Sequence, residues 1–159
     1  MVCELKMIPI GLILLSAQSI FICIGSFVAD FNETHVFNPT WPGHARFHNG
    51  QTMSMSIILG LSTLYYTWRV PYLSNLKSKK ESLIVAAMFG SIYTTSGIMA
   101  QFYPGALCVD KMFWKNQWSN PGCPQNFVFG GFLALNWIGY VVSMWQIAAW
   151  ESMQDKKTT

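Results

Sequence analysis

The stretch that decides the fold is Met7–Ala29, which reads M-I-P-I-G-L-I-L-L-S-A-Q-S-I-F-I-C-I-G-S-F-V-A and carries no charge. An α-helix needs about 20 predominantly apolar residues to cross a bilayer, and this run is long enough. A signal peptide is the alternative, with Lys6 as its basic flank. The run is long for a signal sequence, however, and Phe27 interrupts the small-residue pattern that precedes a cleavage site. We therefore predict a retained transmembrane helix.

Three further long runs lack Asp, Glu, Lys and Arg, and they cover residues 47–68, 83–101 and 127–150. Only 11% of the 159 residues are charged, against about 25% in soluble domains. Pro42 suits the first position of the second helix. The sequence thus predicts an all-α membrane protein, a four-transmembrane-helix bundle that forms a single domain over residues 1–159, with spans near 7–29, 47–68, 83–101 and 127–150.

Lysine and arginine are unevenly distributed among the segments that flank the spans. The middle connection and the two termini contain most of them: Lys6, Arg69, Lys77, Lys79, Lys80, Lys156 and Lys157. The other two connections contain Arg46, Lys111 and Lys115. Because positive residues favour the cytosolic side, we predict cytosolic termini and two lumenal loops, in the endoplasmic reticulum or another secretory-pathway membrane.

Two local patterns agree with that orientation. Asn32-Glu33-Thr34 is an N-glycosylation sequon in the first lumenal loop. Cys108 and Cys123 both lie in the second lumenal loop, where an oxidising compartment favours a disulfide. No C-x-x-C pair accompanies them, so we expect a structural role for this bridge.

Most of the polar chemistry lies between Asp30 and Gln51, a segment that contains all three histidines of the chain. His44 and His48 are four residues apart, so they share one face of a helix, and Gln51 continues that face. A neighbouring carboxylate favours a charged imidazole, whereas a helix N-terminus disfavours it. Acid–base catalysis by this cluster is therefore one interpretation, and its predicted catalytic residues are His48, His44, His35, Asp30 and Glu33.

The structural interpretation of the same cluster is that the histidines hydrogen-bond the loop and cap the second helix. Asp30 would then form an ion pair, with Arg46 as the nearest cation in sequence. Within the spans, small and polar residues at three- and four-residue spacing are typical of membrane helix packing. Their glycines also make a homo-oligomer a possible assembly.

The run F-N-E-T-H-V-F-N-P-T-W-P-G-H-A-R-F-H, residues 31–48, resembles a motif of small, largely fungal four-span membrane proteins with no assigned activity. The shared pattern is N-P-x-W-P-x-H-x-x-x-H, and it points to His35, Asn38, Pro39, Trp41, Pro42, His44 and His48. In size and style this group is similar to the small membrane cyclases and isomerases of terpenoid and polyketide pathways. The resemblance therefore implies a membrane enzyme of secondary metabolism.

A pocket beneath the histidine loop would bind the substrate, and its predicted polar and aromatic contacts are Gln51, Gln101, Asn136, Trp41 and Trp114. The leading hypothesis is a cyclase or isomerase that acts on a lipophilic small molecule from the bilayer and needs neither cofactor nor metal. One alternative is a metal-dependent oxidoreductase or hydrolase with His35, His44 and His48 as ligands. Another is a non-enzymatic binding or assembly subunit. The formal charge of +3, without a basic stripe, argues against a nucleic-acid partner.

Overall fold

A computed structural model of the chain describes residues 9–116 and 122–158. In these two ranges the protein is all-helical, without β-strands, and contains four α-helices. They are α1 (Ile10–Asp30), α2 (Gly43–Trp68), α3 (Leu76–Ala100) and α4 (Gln125–Thr158). The predicted helical class and the order of the four helices are confirmed. Lys6 and the first two residues of the first predicted span lie outside the described residues.

The helices extend beyond the apolar runs that predicted them. α3 begins at Leu76, where the side chain of Asn75 accepts a hydrogen bond from the backbone N–H of Lys77 at 2.8 Å. α2 begins at Gly43, and Pro42 is its N-cap instead of its first residue. An apolar run in the sequence indicates only the part of a helix that can lie in the hydrocarbon core of a membrane. The first residue of the helix is set by the capping residues.

Three of the helices are long and apolar enough to cross a membrane: α1, α3 and the Gln125–Met153 part of α4. This finding is compatible with a membrane protein. α2 is not among them, because its first turns are polar and serine, threonine and tyrosine recur along the rest of the helix.

Each helix packs against its neighbours in chain order, and α4 returns to pack against α1. Among the described residues α1 also contacts α3 across the bundle, whereas α2 and α4 do not touch. The closest approaches occur at glycines. A Cβ on Gly11 would lie 2.7 Å from the carbonyl oxygen of Gly139, and one on Gly60 would lie 2.8 Å from that of Ser19. These glycines therefore serve packing within one chain.

Polar side chains are buried inside the bundle beside its apolar core, and many large apolar side chains are exposed. Gln18, Thr63 and Asn136 are completely buried. Large apolar side chains face outward instead, such as Val28 at 74% exposure and Ile58 at 64%. Apolar patches of this extent mark contact with a partner or a membrane. Lipid would cover such an exterior. Gln18 and Asn136 donate to backbone carbonyl oxygens of α3, whereas Thr63 donates to a carbonyl oxygen within its own helix.

Candidate functional site

Asp30, the last residue of α1, is the centre of a polar cluster at one end of the bundle. Its side chain is 16% exposed, and its Oδ1 lies 3.7 Å from Nε2 of His35. Its Oδ2 accepts a hydrogen bond from Nδ2 of Asn49 at 2.9 Å. Arg46, the cation expected as its partner, instead donates from Nη2 to the carbonyl oxygen of Asn38 at 2.8 Å. The carboxylate thus faces an imidazole and a carboxamide, not a guanidinium.

Two consecutive turns shape the loop between α1 and α2. Asn32 Oδ1 accepts hydrogen bonds from the backbone N–H and the hydroxyl of Thr34, at 2.8 and 2.6 Å. Asn38 Oδ1 accepts the equivalent pair from Thr40, at 3.0 and 2.7 Å. Asparagine favours such turns because its side chain substitutes for a backbone acceptor. The first turn reverses the chain directly after α1 and brings His35 back to Asp30.

The hydrogen-bond partners of His35 determine where its ring carries a proton. The hydroxyl of Thr34 uses its one hydrogen to reach Asn32 Oδ1, since that oxygen is only an acceptor. His35 Nδ1, 2.7 Å from the same hydroxyl oxygen, must therefore donate to it. In a neutral ring Nε2 would then present a lone pair to the Asp30 carboxylate. A ring that carried hydrogens on both nitrogens would instead direct an N–H toward the carboxylate, 3.7 Å away, so Asp30 and His35 are placed as a carboxylate–imidazole pair.

A second layer of polar groups lies deeper in the bundle. The buried hydroxyl oxygens of Ser26 and Ser56 are 2.6 Å apart and join α1 to α2. Ser56 donates to the carbonyl oxygen of Met53 at 2.6 Å, which leaves Ser26 as the donor in the pair. Tyr93 of α3 is a further polar side chain near Ser26 and Asp30. Three helices therefore contribute polar groups to the space below Asp30.

His44, His48 and Gln51 form a separate group on the outer surface of α2. The Nε2 atoms of the two histidines are 3.0 Å apart, and His48 Nδ1 lies 3.2 Å from Gln51 Oε1. All three side chains are exposed. The buried face of α2 starts instead at Asn49, one residue and thus about 100° away from His48. The predicted catalytic histidines are consequently divided, with His35 at Asp30 and the other two facing outward.

The remaining predicted catalytic and loop residues differ in their surroundings. Glu33 is exposed on the loop. Trp41 is half-buried and packs edge-on against the ring of His35, with 5.1 Å between ring centroids. Trp114 is half-buried in the second loop, where its Nε1 donates to the carbonyl oxygen of Val109 at 3.0 Å. Trp41 is thus the predicted aromatic contact that adjoins the Asp30 cluster.

Gln101 and Asn136 are not neighbours. Gln101 Oε1 accepts from Asn126 at 3.1 Å and links the end of α3 to the start of α4. Asn136 donates to the carbonyl oxygen of Ala87 at 2.8 Å and to the Ser91 hydroxyl at 3.1 Å. Ser91 and Gln101 are ten residues apart on α3, which corresponds to about 15 Å along the helix axis. Asn136 holds α4 against the middle of α3.

The two loops on this side of the bundle touch each other. Cys108 and Cys123 form the predicted disulfide, with their Cα atoms 5.1 Å apart. Met112 lies between them in sequence, and its sulfur is 4.0 Å from Nδ2 of the buried Asn38. The disulfide-closed loop therefore reaches the loop that positions His35.

Reasoning from the sequence did not identify Thr34, Asn49, Tyr93 or Ser26 as members of the site. The sequence signal for Asn49 is a stripe of α2 with three- and four-residue spacing: Asn49, Met53, Ser56, Gly60, Thr63 and Thr67. The stripe beginning at His44 shares that spacing, so the signal does not by itself select the buried face. Tyr93 has no such signal, since nothing near it in sequence is ionisable.

Metal ligation by three histidines was the alternative to acid–base chemistry. Within residues 9–116 and 122–158, no three His, Cys, Asp or Glu side chains converge as a metal site would require. His35 contacts Asp30, and His44 contacts His48. The three-histidine ligand set is not formed in this arrangement.

No curated protein and no solved structure matches the chain. A family model does match, over residues 14–152, and this range includes the Asp30 cluster, both loops and most of all four helices. The description of that family names no activity, no membrane and no loop motif, so the resemblance to four-span membrane enzymes remains a prediction. The match covers most of the chain, and the protein therefore belongs to DUF6640, a family of unknown function.

Proposed function

We propose that this protein is a membrane-embedded isomerase or cyclase that acts on a lipophilic small molecule of terpenoid or polyketide type by general acid–base catalysis. The observation that carries the proposal is the Asp30–His35 pair, a carboxylate and an imidazole 3.7 Å apart at the end of an apolar bundle. An ionisable group at the end of a membrane helix is costly unless it is paired or functional.

The chemistry we assign to the pair is the movement of one proton. His35 Nε2–H, supported by the Asp30 carboxylate, donates to an alkene, epoxide or carbonyl of the substrate. Loss of a proton from another atom of the cationic intermediate to the same pair completes the reaction. Atoms balance without a cofactor, so substrate and product have the same mass.

The surroundings of the pair fit a cationic intermediate. Trp41 covers one side of His35. Tyr93, which packs edge-on against Phe129 at 6.1 Å between centroids, extends from the inner side. Aromatic faces attract cations, and the attraction grows where water is excluded. The Tyr93 hydroxyl is a second polar contact for an oxygen of the substrate.

We propose further that α2 is a fourth membrane span, with both termini in the cytosol and the Asp30 cluster on the lumenal side. Support comes from the contacts of α2 with α1, which proceed in antiparallel order along both helices. Asn49 meets Asp30, Ser56 meets Ser26, and Trp68 Nε1 donates to Ser16 at 2.8 Å near the other end. A helix packed along nearly its whole length against a membrane span crosses the same layer. The sequon and the Cys108–Cys123 disulfide support the assignment to a secretory-pathway membrane.

The test compares Asp30→Asn with Glu33→Gln, because the two carboxylates are three residues apart in sequence and only Asp30 contacts His35. Purified full-length protein in lipid nanodiscs is incubated with a lipophilic extract of the cells that make it, in D2O. Chromatography coupled to mass spectrometry then searches for two isomers that interconvert, with the product one deuterium heavier. We expect this conversion with the unmodified protein and with Glu33→Gln, and its loss with Asp30→Asn and His35→Gln.

Equal conversion by Asp30→Asn and the unmodified protein would refute the assignment of the pair. If the unmodified protein converts no isomer, the proposal that it is an enzyme is refuted, and the alternative of a non-enzymatic assembly subunit is favoured. Circular dichroism of each variant, compared with the unmodified protein, controls for folding.

A further inference from the structure

His44 and His48 form an exposed side-chain pair that the proposed reaction does not use. They lie one helical turn apart at the start of α2, and their Nε2 atoms converge to 3.0 Å. Arg46, the nearest cation in sequence, is about 200° from each of them around the helix and is bonded to Asn38. The two imidazole nitrogens therefore share a surface without an adjacent guanidinium.

Gln51 determines the tautomer of His48. Its Oε1 is an acceptor, so His48 Nδ1, at 3.2 Å, must donate to it. Nε2 of a neutral His48 then carries a lone pair that points toward His44. In metal proteins the non-ligating nitrogen of a histidine almost always donates to an oxygen in this way, which fixes the ring and makes the other nitrogen a better ligand.

We propose that His44 and His48 bind a divalent late first-row transition-metal ion as a two-nitrogen chelate through their Nε2 atoms. Nitrogen ligands lie about 2.0–2.1 Å from such an ion. Two of them are then about 2.9 Å apart at a right angle and about 3.4 Å apart in a tetrahedron. The observed 3.0 Å falls within that range. On metal binding His44 gives up its Nε2 hydrogen to water and takes one up on Nδ1, so the ring stays neutral and both Nε2 lone pairs are free to ligate.

The i, i+4 spacing on a regular helix holds the two ligands in place before the ion arrives. The remaining coordination positions face solvent and accept water. The partial positive charge of the helix start opposes a cation, so we expect weaker binding than at a closed four-ligand site. Imidazole ligands suit copper, nickel and zinc, and copper binds most tightly in this series.

Cu²⁺ is the probe for the test. Full-length protein in detergent, purified through a tag without histidine and with Cys3 and Cys23 replaced by serine, is titrated with Cu²⁺ and followed by electron paramagnetic resonance. We expect one ion per chain with hyperfine structure from two imidazole nitrogens. His44→Ala and His48→Ala should each abolish the two-nitrogen signal. His35→Ala is the matched control and should leave the signal unchanged, and Gln51→Ala should raise the Kd several-fold.

Retention of the two-nitrogen signal in His44→Ala or His48→Ala would overturn the proposal, as would its absence from the unmodified protein. Loss of the signal in His35→Ala would place the ion elsewhere and would also overturn it. The pair is exposed, so circular dichroism of His44→Ala and His48→Ala should equal that of the unmodified protein, and the same measurement checks the folding of His35→Ala. The site is separate from Asp30, and either result is independent of the isomerase proposal.

Discussion

Gly60 offers the sharpest test of how α1 and α2 pack. In the Gly60→Ala variant the new Cβ would lie 2.8 Å from the backbone oxygen of Ser19 and 2.3 Å from Sγ of Cys23. The cysteine side chain can turn away, but the carbonyl of Ser19 belongs to the backbone of α1. Carbon–oxygen contacts in proteins are ordinarily about 3.3 Å or more. The two helices must therefore separate by about 0.5 Å at this point.

The magnitude follows from two opposing terms. Overpacking of a well-packed interior costs about 1–3 kcal/mol. Replacing glycine by alanine within a helix contributes about 0.5–1 kcal/mol of stability. Gly50, in the same helix, has open space where a Cβ would be placed. The helix-propensity term is common to both substitutions, so Gly60→Ala should be less stable than Gly50→Ala by about 1–3 kcal/mol.

Unfolding of both variants in mixed micelles, with increasing SDS and circular dichroism as the signal, measures that difference. We expect Gly50→Ala to unfold at the same or a higher denaturant fraction than the unmodified protein. Gly60→Ala should unfold at a lower one. If Gly60→Ala is as stable as Gly50→Ala, the close approach of α1 and α2 at Ser19 is refuted.

Two further predictions concern the lumenal loops. If the loop after α1 is lumenal, protein made in eukaryotic cells carries a glycan on Asn32. Treatment with a glycosidase should then increase the gel mobility of the protein, and the Asn32→Gln variant should have the faster mobility without treatment. A glycan-free unmodified protein would contradict the topology. The Cys108→Ser variant removes the Cys108–Cys123 bridge and opens a loop closed over 15 residues, which should lower the free energy of unfolding by up to about 3 kcal/mol. The melting temperature of this variant should fall under non-reducing conditions. Cys23→Ser removes the free thiol of α1 and should change the melting temperature little.

Several features of the fold were predictable because they depend on local sequence. The end of α2 at Trp68 and the number of helices follow from the lengths of the apolar runs. The disulfide follows from two cysteines in one loop. The start of α3 was placed seven residues late, at residue 83 instead of Leu76. In this charged turn Lys77 is exposed, whereas Lys79 is buried and donates from Nζ to the carbonyl oxygen of Val70 at 3.1 Å. A charged turn can therefore be helical without being suited to hydrocarbon.

The Asp30 cluster depended on tertiary structure. Sequence identified Asp30 and His35 as polar residues of one segment, and it offered Arg46 as the partner of Asp30. In the structure the paired Asn–Thr turns bring His35 to the Asp30 carboxylate, and the burial of Asn49 places its carboxamide there as well. Arg46 instead donates to the carbonyl oxygen of Asn38.

The sequence by itself determined a helical chain whose polar residues are concentrated in the first of the two loops and whose other loop is closed by a disulfide. Which face of α2 turns inward was decided only by packing. The stripes beginning at His44 and at Asn49 both recur with helical spacing, and they differ by a rotation of about 100–140°. Gly60 and Ser56 approach α1 closely, and that contact buries Asn49 beside Asp30. The same rotation leaves His44 and His48 on the outer surface, because a helix that packs through one face must expose the other.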